Sequence, residues 1–182
     1  MKIILLLAIL SFVLSTVSPA QTCREVVRDS SGRIVQTIDR QKQAGGTERA
    51  VIRDASGRVI GTATTRAATG GGGQTTLRDA SGRLVATATT QGSSTSTSHT
   101  NFRYASGRQT GSATTNNFSS RGSRTQYRDA SGRLTGTEST LGKGTTTTTR
   151  RDASGLYTGK STSNGACETG LRAPLPPSGA KK

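Results

Sequence analysis

A six-residue phrase, Arg78-Asp79-Ala80-Ser81-Gly82-Arg83, recurs along nearly the whole chain. Near-copies stand at Arg28–Arg33, Arg53–Arg58, Arg103–Arg108, Arg128–Arg133 and Arg151–Leu156, and successive starts are 25, 25, 25, 25 and 23 residues apart. Self-similarity at a fixed period predicts a repeat architecture, in which each unit buries its apolar face only against its neighbours.

The phrase has the chemistry of a hairpin turn. The aspartates Asp29, Asp54, Asp79, Asp129 and Asp152 can accept hydrogen bonds from backbone N–H groups two residues on. The glycines Gly32, Gly57, Gly82, Gly107, Gly132 and Gly155 supply the positive φ that closes a three-residue hairpin with a bulge. Each unit therefore reads as two antiparallel strands joined by this turn, six hairpins in all. The expected fold is all-β: tandem 25-residue hairpins in a thin antiparallel meander, curled or closed, with a β-solenoid as the alternative.

Two columns supply the expected core. Before the first arginine stand Val27, Ile52, Leu77, Phe102, Tyr127 and then Arg150; after the second stand Ile34, Val59, Leu84, Gln109, Leu134 and, in the shortened last copy, Tyr157. The two columns are expected to meet across each hairpin. Beyond the turn, Leu84, Ala86, Ala88 and Thr90 share one face, and Arg83, Val85, Thr87 and Thr89 the other, which should be the solvated one. Polar stretches that differ in every copy, Gln43–Thr47, Thr69–Gln74, Gln91–His99, Asn116–Arg124 and Leu141–Gly144, read as loops between units. Asn117-Phe118-Ser119 in the fourth of them matches an N-glycosylation acceptor.

The chain opens with Lys2, an uncharged run from Ile3 to Val17 and Ser18-Pro19-Ala20, the pattern of a secretory signal peptide cut after Ala20. Residues 21–168 form the repeat domain and 169–182 a Pro-rich, basic tail expected to be disordered. Without Lys2 the mature chain has 24 basic and 10 acidic side chains, a net +14. Such a charge attracts polyanions. Aromatics make up only 3% of residues, so the core must be thin.

Cys23 opens the mature chain and Cys167 follows the last repeat. An exported pair favours a disulfide. Six units in a straight row would hold these ends tens of ångströms apart, far beyond the roughly 4.4–6.8 Å between the Cα atoms of a disulfide. Either the array curls until its ends meet, or each cysteine pairs with another chain, or an end folds back.

No catalytic role, metal or cofactor is expected. His99 is the single histidine and falls in a Ser/Thr stretch, and the abundant Ser and Asp are copies of one turn. The candidate anion-binding residues are Arg28, Arg53, Arg78, Arg103, Arg128 and Arg151 before the turns and Arg33, Arg58, Arg83, Arg108 and Arg133 after them. The structural reading pairs them with the turn aspartates; Tyr104 takes the aspartate's place in the fourth copy. Thr62-x-Thr64, Thr87-x-Thr89, Thr110-x-Ser112-x-Thr114 and Thr135-x-Thr137 form hydroxyl ranks that resemble the arrays of β-solenoid antifreeze proteins, interrupted by Asp39 and Lys160.

The run Asp79-Ala80-Ser81-Gly82-Arg83-Leu84 and its copy Asp129-Ala130-Ser131-Gly132-Arg133-Leu134 resemble the core of the YD repeats of bacterial Rhs-type surface proteins. Those carry Tyr directly before the Asp; here Arg stands there, and the aromatic, where present, is one residue earlier at Phe102 and Tyr127. The resemblance implies tandem hairpins in a cell-surface protein and nothing catalytic. The expectation is an exported, non-enzymatic protein, secreted, periplasmic or at the cell surface, that contacts lipopolysaccharide, acidic glycan or extracellular nucleic acid through its Arg-flanked turns. It would not span a membrane after cleavage. Self-association into a fibre or matrix is the alternative, and ice binding a remote one.

Overall fold

The computed structural model describes residues 22–69, 72–92, 96–119, 122–142 and 144–164. The expected signal peptide, the tail and Cys167 lie outside the described residues. Each repeat folds into two strands, giving β1 (Thr22–Asp29), β2 (Ile34–Lys42), β3 (Thr47–Asp54), β4 (Val59–Ala68), β5 (Gly72–Asp79), β6 (Leu84–Gly92), β7 (Thr97–Tyr104), β8 (Gln109–Ser119), β9 (Gly122–Asp129), β10 (Leu134–Leu141), β11 (Thr146–Asp152) and β12 (Tyr157–Asn164). All pairings are antiparallel between sequence neighbours, and β1 pairs with β12, so the meander closes into a barrel. The six-hairpin meander is thus as expected; the antiparallel ladder and its closure replace the solenoid.

The register corrects the expected core. The two apolar columns do not face each other: Leu77 lies opposite Ala86, while Leu84 lies opposite Arg78, with a bulge between. The same shift sets Ile52 opposite Gly61, Phe102 opposite Gly111 and Tyr127 opposite Gly136. These four large inward side chains therefore meet small partners, because the closing turn inserts one unpaired residue into the second strand, whereas Val27 of the first repeat lies opposite Gln36. The smallness is enforced at Gly111, where a Cβ would come within 2.2 Å of the Arg128 carbonyl oxygen on the next strand.

The strands also run further into the variable stretches than the sequence suggests. Gly72–Gln74, Thr97–His99, Asn116–Ser119 and Gly122–Arg124 all belong to strands, and His99 and Asn117 stand on β7 and β8 rather than in loops. Their polar side chains do not hinder backbone pairing, which is indifferent to side-chain polarity. Between β2 and β3 the connection is a short 3-10 turn, Ala44–Gly46.

Inside the barrel, an apolar cluster of Val27, Ile38, Ala50 and Ile52, with Ala63 and Leu77 against it, fills the first units. The later units are lined by hydroxyls. Thr65 and Thr75 bond at 2.8 Å, Thr90 and Thr100 at 2.8 Å, Thr115 and Thr125 at 2.9 Å, and Thr140 and Thr148 at 2.9 Å, each pair joining one repeat to the next. Thr146 and Ser163 continue the ladder at 2.6 Å. Buried hydroxyls that satisfy one another avoid the cost of an unmet donor.

At the closure, charges replace the hydroxyls. Arg40 bonds Glu25 at 3.2 Å and Glu48 at 3.0 Å. Arg150 approaches Glu25 and bonds Glu138, whose carboxylate also accepts the Tyr127 hydroxyl at 2.7 Å. The chain of contacts from Glu48 to Tyr127 runs through β3, β2, β1, β11, β10 and β9 and so spans the seam between the first and last repeats.

Candidate functional site: an arginine rim

Because successive strands alternate in direction, the six turns that link β1 to β2, β3 to β4, and so on to β12 all emerge at one end of the barrel. The structure thereby gathers into a single rim residues that the sequence spaces 25 apart.

Five of the six turns are built the same way. The Asp79 carboxylate accepts the Ser81 N–H at 2.9 Å, the Ser81 hydroxyl at 2.6 Å and the Arg83 N–H at 3.0 Å. Asp29, Asp54, Asp129 and Asp152 repeat this set on their own turns. Bonding by the serine hydroxyl first, and then by the backbone N–H groups, holds these aspartates below the usual 3.8. The six turn glycines have φ between 83° and 86°, as the turn chemistry requires.

The first arginine of each phrase has a structural task, but not the expected one. Its guanidinium donates to the turn glycine's carbonyl: Arg28 to Gly32 at 2.9 Å, Arg53 to Gly57 at 3.1 Å, Arg78 to Gly82 at 2.8 Å, Arg103 to Gly107 at 2.8 Å, Arg128 to Gly132 at 2.9 Å and Arg151 to Gly155 at 2.9 Å. Arg53 also reaches Asp39 at 3.7 Å, and Asp39 accepts Arg24 at 2.6 Å, so this interruption of the threonine ranks is an ion-pairing position. The aspartates are occupied by the turn itself, which leaves the arginines' charge outside it.

The second arginines, Arg33, Arg58, Arg83, Arg108 and Arg133, are exposed. In the fourth turn, where Tyr104 replaces aspartate, the Arg108 guanidinium lies 5.5 Å from the Tyr104 ring centre, a cation–π contact. Counting the rim, eleven arginines face five aspartates, a surplus of six positive charges. The arrangement can bind anions by charge and by forked N–H donors.

Sequence reasoning missed the interior ion chain. The signal was there: Glu25 stands in the column otherwise filled by Ala50, Thr75, Thr100, Thr125 and Thr148, and Arg40 in the column of Thr65, Thr90, Thr115, Thr140 and Ser163. Among the described residues no group of three or more His, Cys, Asp or Glu is placed to hold a metal ion. Cys23 is buried on β1, and its expected partner lies outside the described residues.

No protein-family model and no curated protein matches the chain. Among solved structures, a domain assigned to an outer membrane lipoprotein-sorting protein of Vibrio parahaemolyticus aligns over 85% of this chain and 86% of its own, at 9% identity and a TM-score of 0.34.

Proposed function

We propose that the protein is an exported, non-enzymatic binding protein of the cell envelope or extracellular space that contacts polyanions through its arginine rim. The observation that carries this reading is the convergence of six Arg-flanked turns on one end of a closed barrel. Equivalent arginines stand about 10 Å apart, twice the strand spacing, and closure gathers all six turns around one mouth of the barrel. Several weak contacts made at once by a rigid frame add to a useful affinity. Along the middle of the wall, outward positions such as Thr62, Thr64, Gln74, Thr76, Asn101 and Lys160 are polar, unlike the apolar band that a membrane-spanning barrel turns to lipid.

Retention on heparin or DNA resin tests it. The chain should bind at low salt and elute as salt rises, and replacing Arg33, Arg58, Arg83 and Arg133 by Gln should lower the elution salt and flatten the salt dependence. Absence of retention at low salt, or retention unchanged at about 1 M salt, where charges are screened beyond about 3 Å, sinks the reading. The fibre alternative requires an open strand edge. Closure pairs β1 with β12 and uses both edges. Ice binding requires flat hydroxyl ranks, whereas Thr62, Thr87 and Thr137 follow the curve of a barrel wall.

A further inference from the structure

The rim is not uniformly polar behind its arginines. Val35, Ile60 and Val85 stand on the outer wall of β2, β4 and β6, two residues past Arg33, Arg58 and Arg83, and are 44%, 44% and 39% exposed. Each sits beside the exposed alanine of the following turn. The Val85 carbonyl accepts the Ala105 N–H at 2.9 Å. Gly61 pairs with Asp79 and Gln36 with Asp54, so Ile60 and Val35 adjoin Ala80 and Ala55 in the same way. The equivalent outer positions on the other half of the barrel are Thr110, Thr135 and Thr158. Tyr104, 39% exposed, stands at the rim on the fourth turn, on the strand face opposite to that of Val85.

One half of the rim therefore alternates arginine with branched aliphatic side chains that stand about 10 Å apart around the wall. A soluble glycan or nucleic acid would use the arginines but gain nothing from Val35, Ile60 and Val85. An anionic bilayer surface uses both, with phosphates for the guanidinium groups and the headgroup–acyl boundary for the aliphatic ones. The spacing also fits. Two residues of strand place these side chains about 7 Å behind the turns, within the roughly 5–10 Å to which interfacial elements sink.

We infer that the Val35–Ile60–Val85 half of the rim docks on an anionic lipid surface, with Arg33, Arg58 and Arg83 at the phosphates. The inference rests on the polyanion reading and names the class of partner for that same rim.

Co-sedimentation of the full chain with vesicles tests it. Vesicles of phosphatidylcholine with about a third phosphatidylglycerol should bind the chain, and vesicles of phosphatidylcholine alone should not. A Val35→Ser, Ile60→Ser, Val85→Ser variant should bind the anionic vesicles at least about tenfold more weakly while its elution from heparin stays unchanged. Equal vesicle binding by that variant overturns the inference, because charge alone would then suffice. Retention on heparin with no binding to anionic vesicles also overturns it and leaves the polyanion reading standing; loss of both defeats both. A dimer in sedimentation that disappears in the variant assigns the belt to a second copy instead. If the variant does not fold, the native chain still decides: brominated acyl chains should quench tyrosine emission, an effect reduced in Tyr104→Phe, and absence of quenching defeats the inference.

Discussion

Arg150 on β11 reaches over β12 to Glu25 on β1, with 3.7 Å between nitrogen and oxygen. Both residues are exceptions in their columns. Arg150 stands where the other repeats carry Val27 to Tyr127, and Glu25 where they carry Ala50 or threonine. Glu25 has 4% of its side chain exposed and is held from the other side by Arg40. The first and last repeats thus carry a lock that the middle repeats lack. Replacing Glu25 by Ala removes the carboxylate shared by Arg40 and Arg150 while each arginine keeps one partner, Glu48 and Glu138, so the loss should stay below the roughly 3–5 kcal/mol of a buried charge left uncompensated. Urea unfolding should show that loss, and a variant as stable as the parent would remove the seam from the account of closure.

Acid should weaken the turns. The five turn aspartates titrate below the usual 3.8 because the folded turn bonds their charged form. A depressed folded value means the stabilisation is complete above the unfolded value and is lost as pH falls through the folded one. Melting temperature should therefore be level above about pH 5 and fall below about pH 4. The fall should be shallower when Asp79 and Asp129 are replaced by Asn. An equally steep fall in that variant would show that the Asp79 and Asp129 carboxylates do not set the acid response.

The two kinds of glycine should differ in tolerance. Gly107 has φ 83° and open space for at least 4 Å around the place a methyl group would take, so Gly107→Ala costs only the backbone strain of about 1–2 kcal/mol. Gly111 has an ordinary backbone, but its Cβ would lie 2.2 Å from the Arg128 carbonyl oxygen. Relief there requires β8 and β9 to separate. Thermal unfolding should place Gly111→Ala below Gly107→Ala; the reverse order would mean that the wall gives way more easily than the turn.

The hydroxyl ladder predicts non-additivity. Thr65 and Thr75 are buried and bonded at 2.8 Å, so Thr65→Val alone strands the partner hydroxyl at a cost of about 1–3 kcal/mol. The double change to Val removes both polar groups and should recover most of the loss. A double-mutant cycle by chemical denaturation measures the coupling, and strictly additive losses would contradict the pairing.

Closure also sets the reach of the cysteines. Asn164 lies opposite Arg24, next to Cys23, and Cys167 follows three residues later. Three residues span up to about 10 Å, enough for an intrachain bridge. A non-reducing mass measurement should find a monomer lighter by the two thiol hydrogens, and a disulfide-linked dimer would overturn the intrachain pairing.

Much of the hairpin was legible in the chain. Asp79, Ser81 and Gly82 act through bonds to residues at most four apart, and such chemistry is written in local order. The partner of Leu77 was not legible, because one unpaired residue shifts everything beyond the turn. Nor was the role of Arg78, whose carbonyl acceptor is a backbone atom of Gly82 and carries no side-chain signature.

By itself, the sequence determined a unit: a 25-residue period, a turn with fixed hydrogen bonds, and strands of alternating faces, all set by interactions between near neighbours. Whether six such units stay open or close depends on Arg150 meeting Glu25 from the far end of the chain, and on β1 finding β12. Contacts so distant along the chain show in the sequence only as breaks in the repeat, Glu25 and Arg150, whose pairing the period does not assign, and only the tertiary structure could turn a row of arginines into a rim.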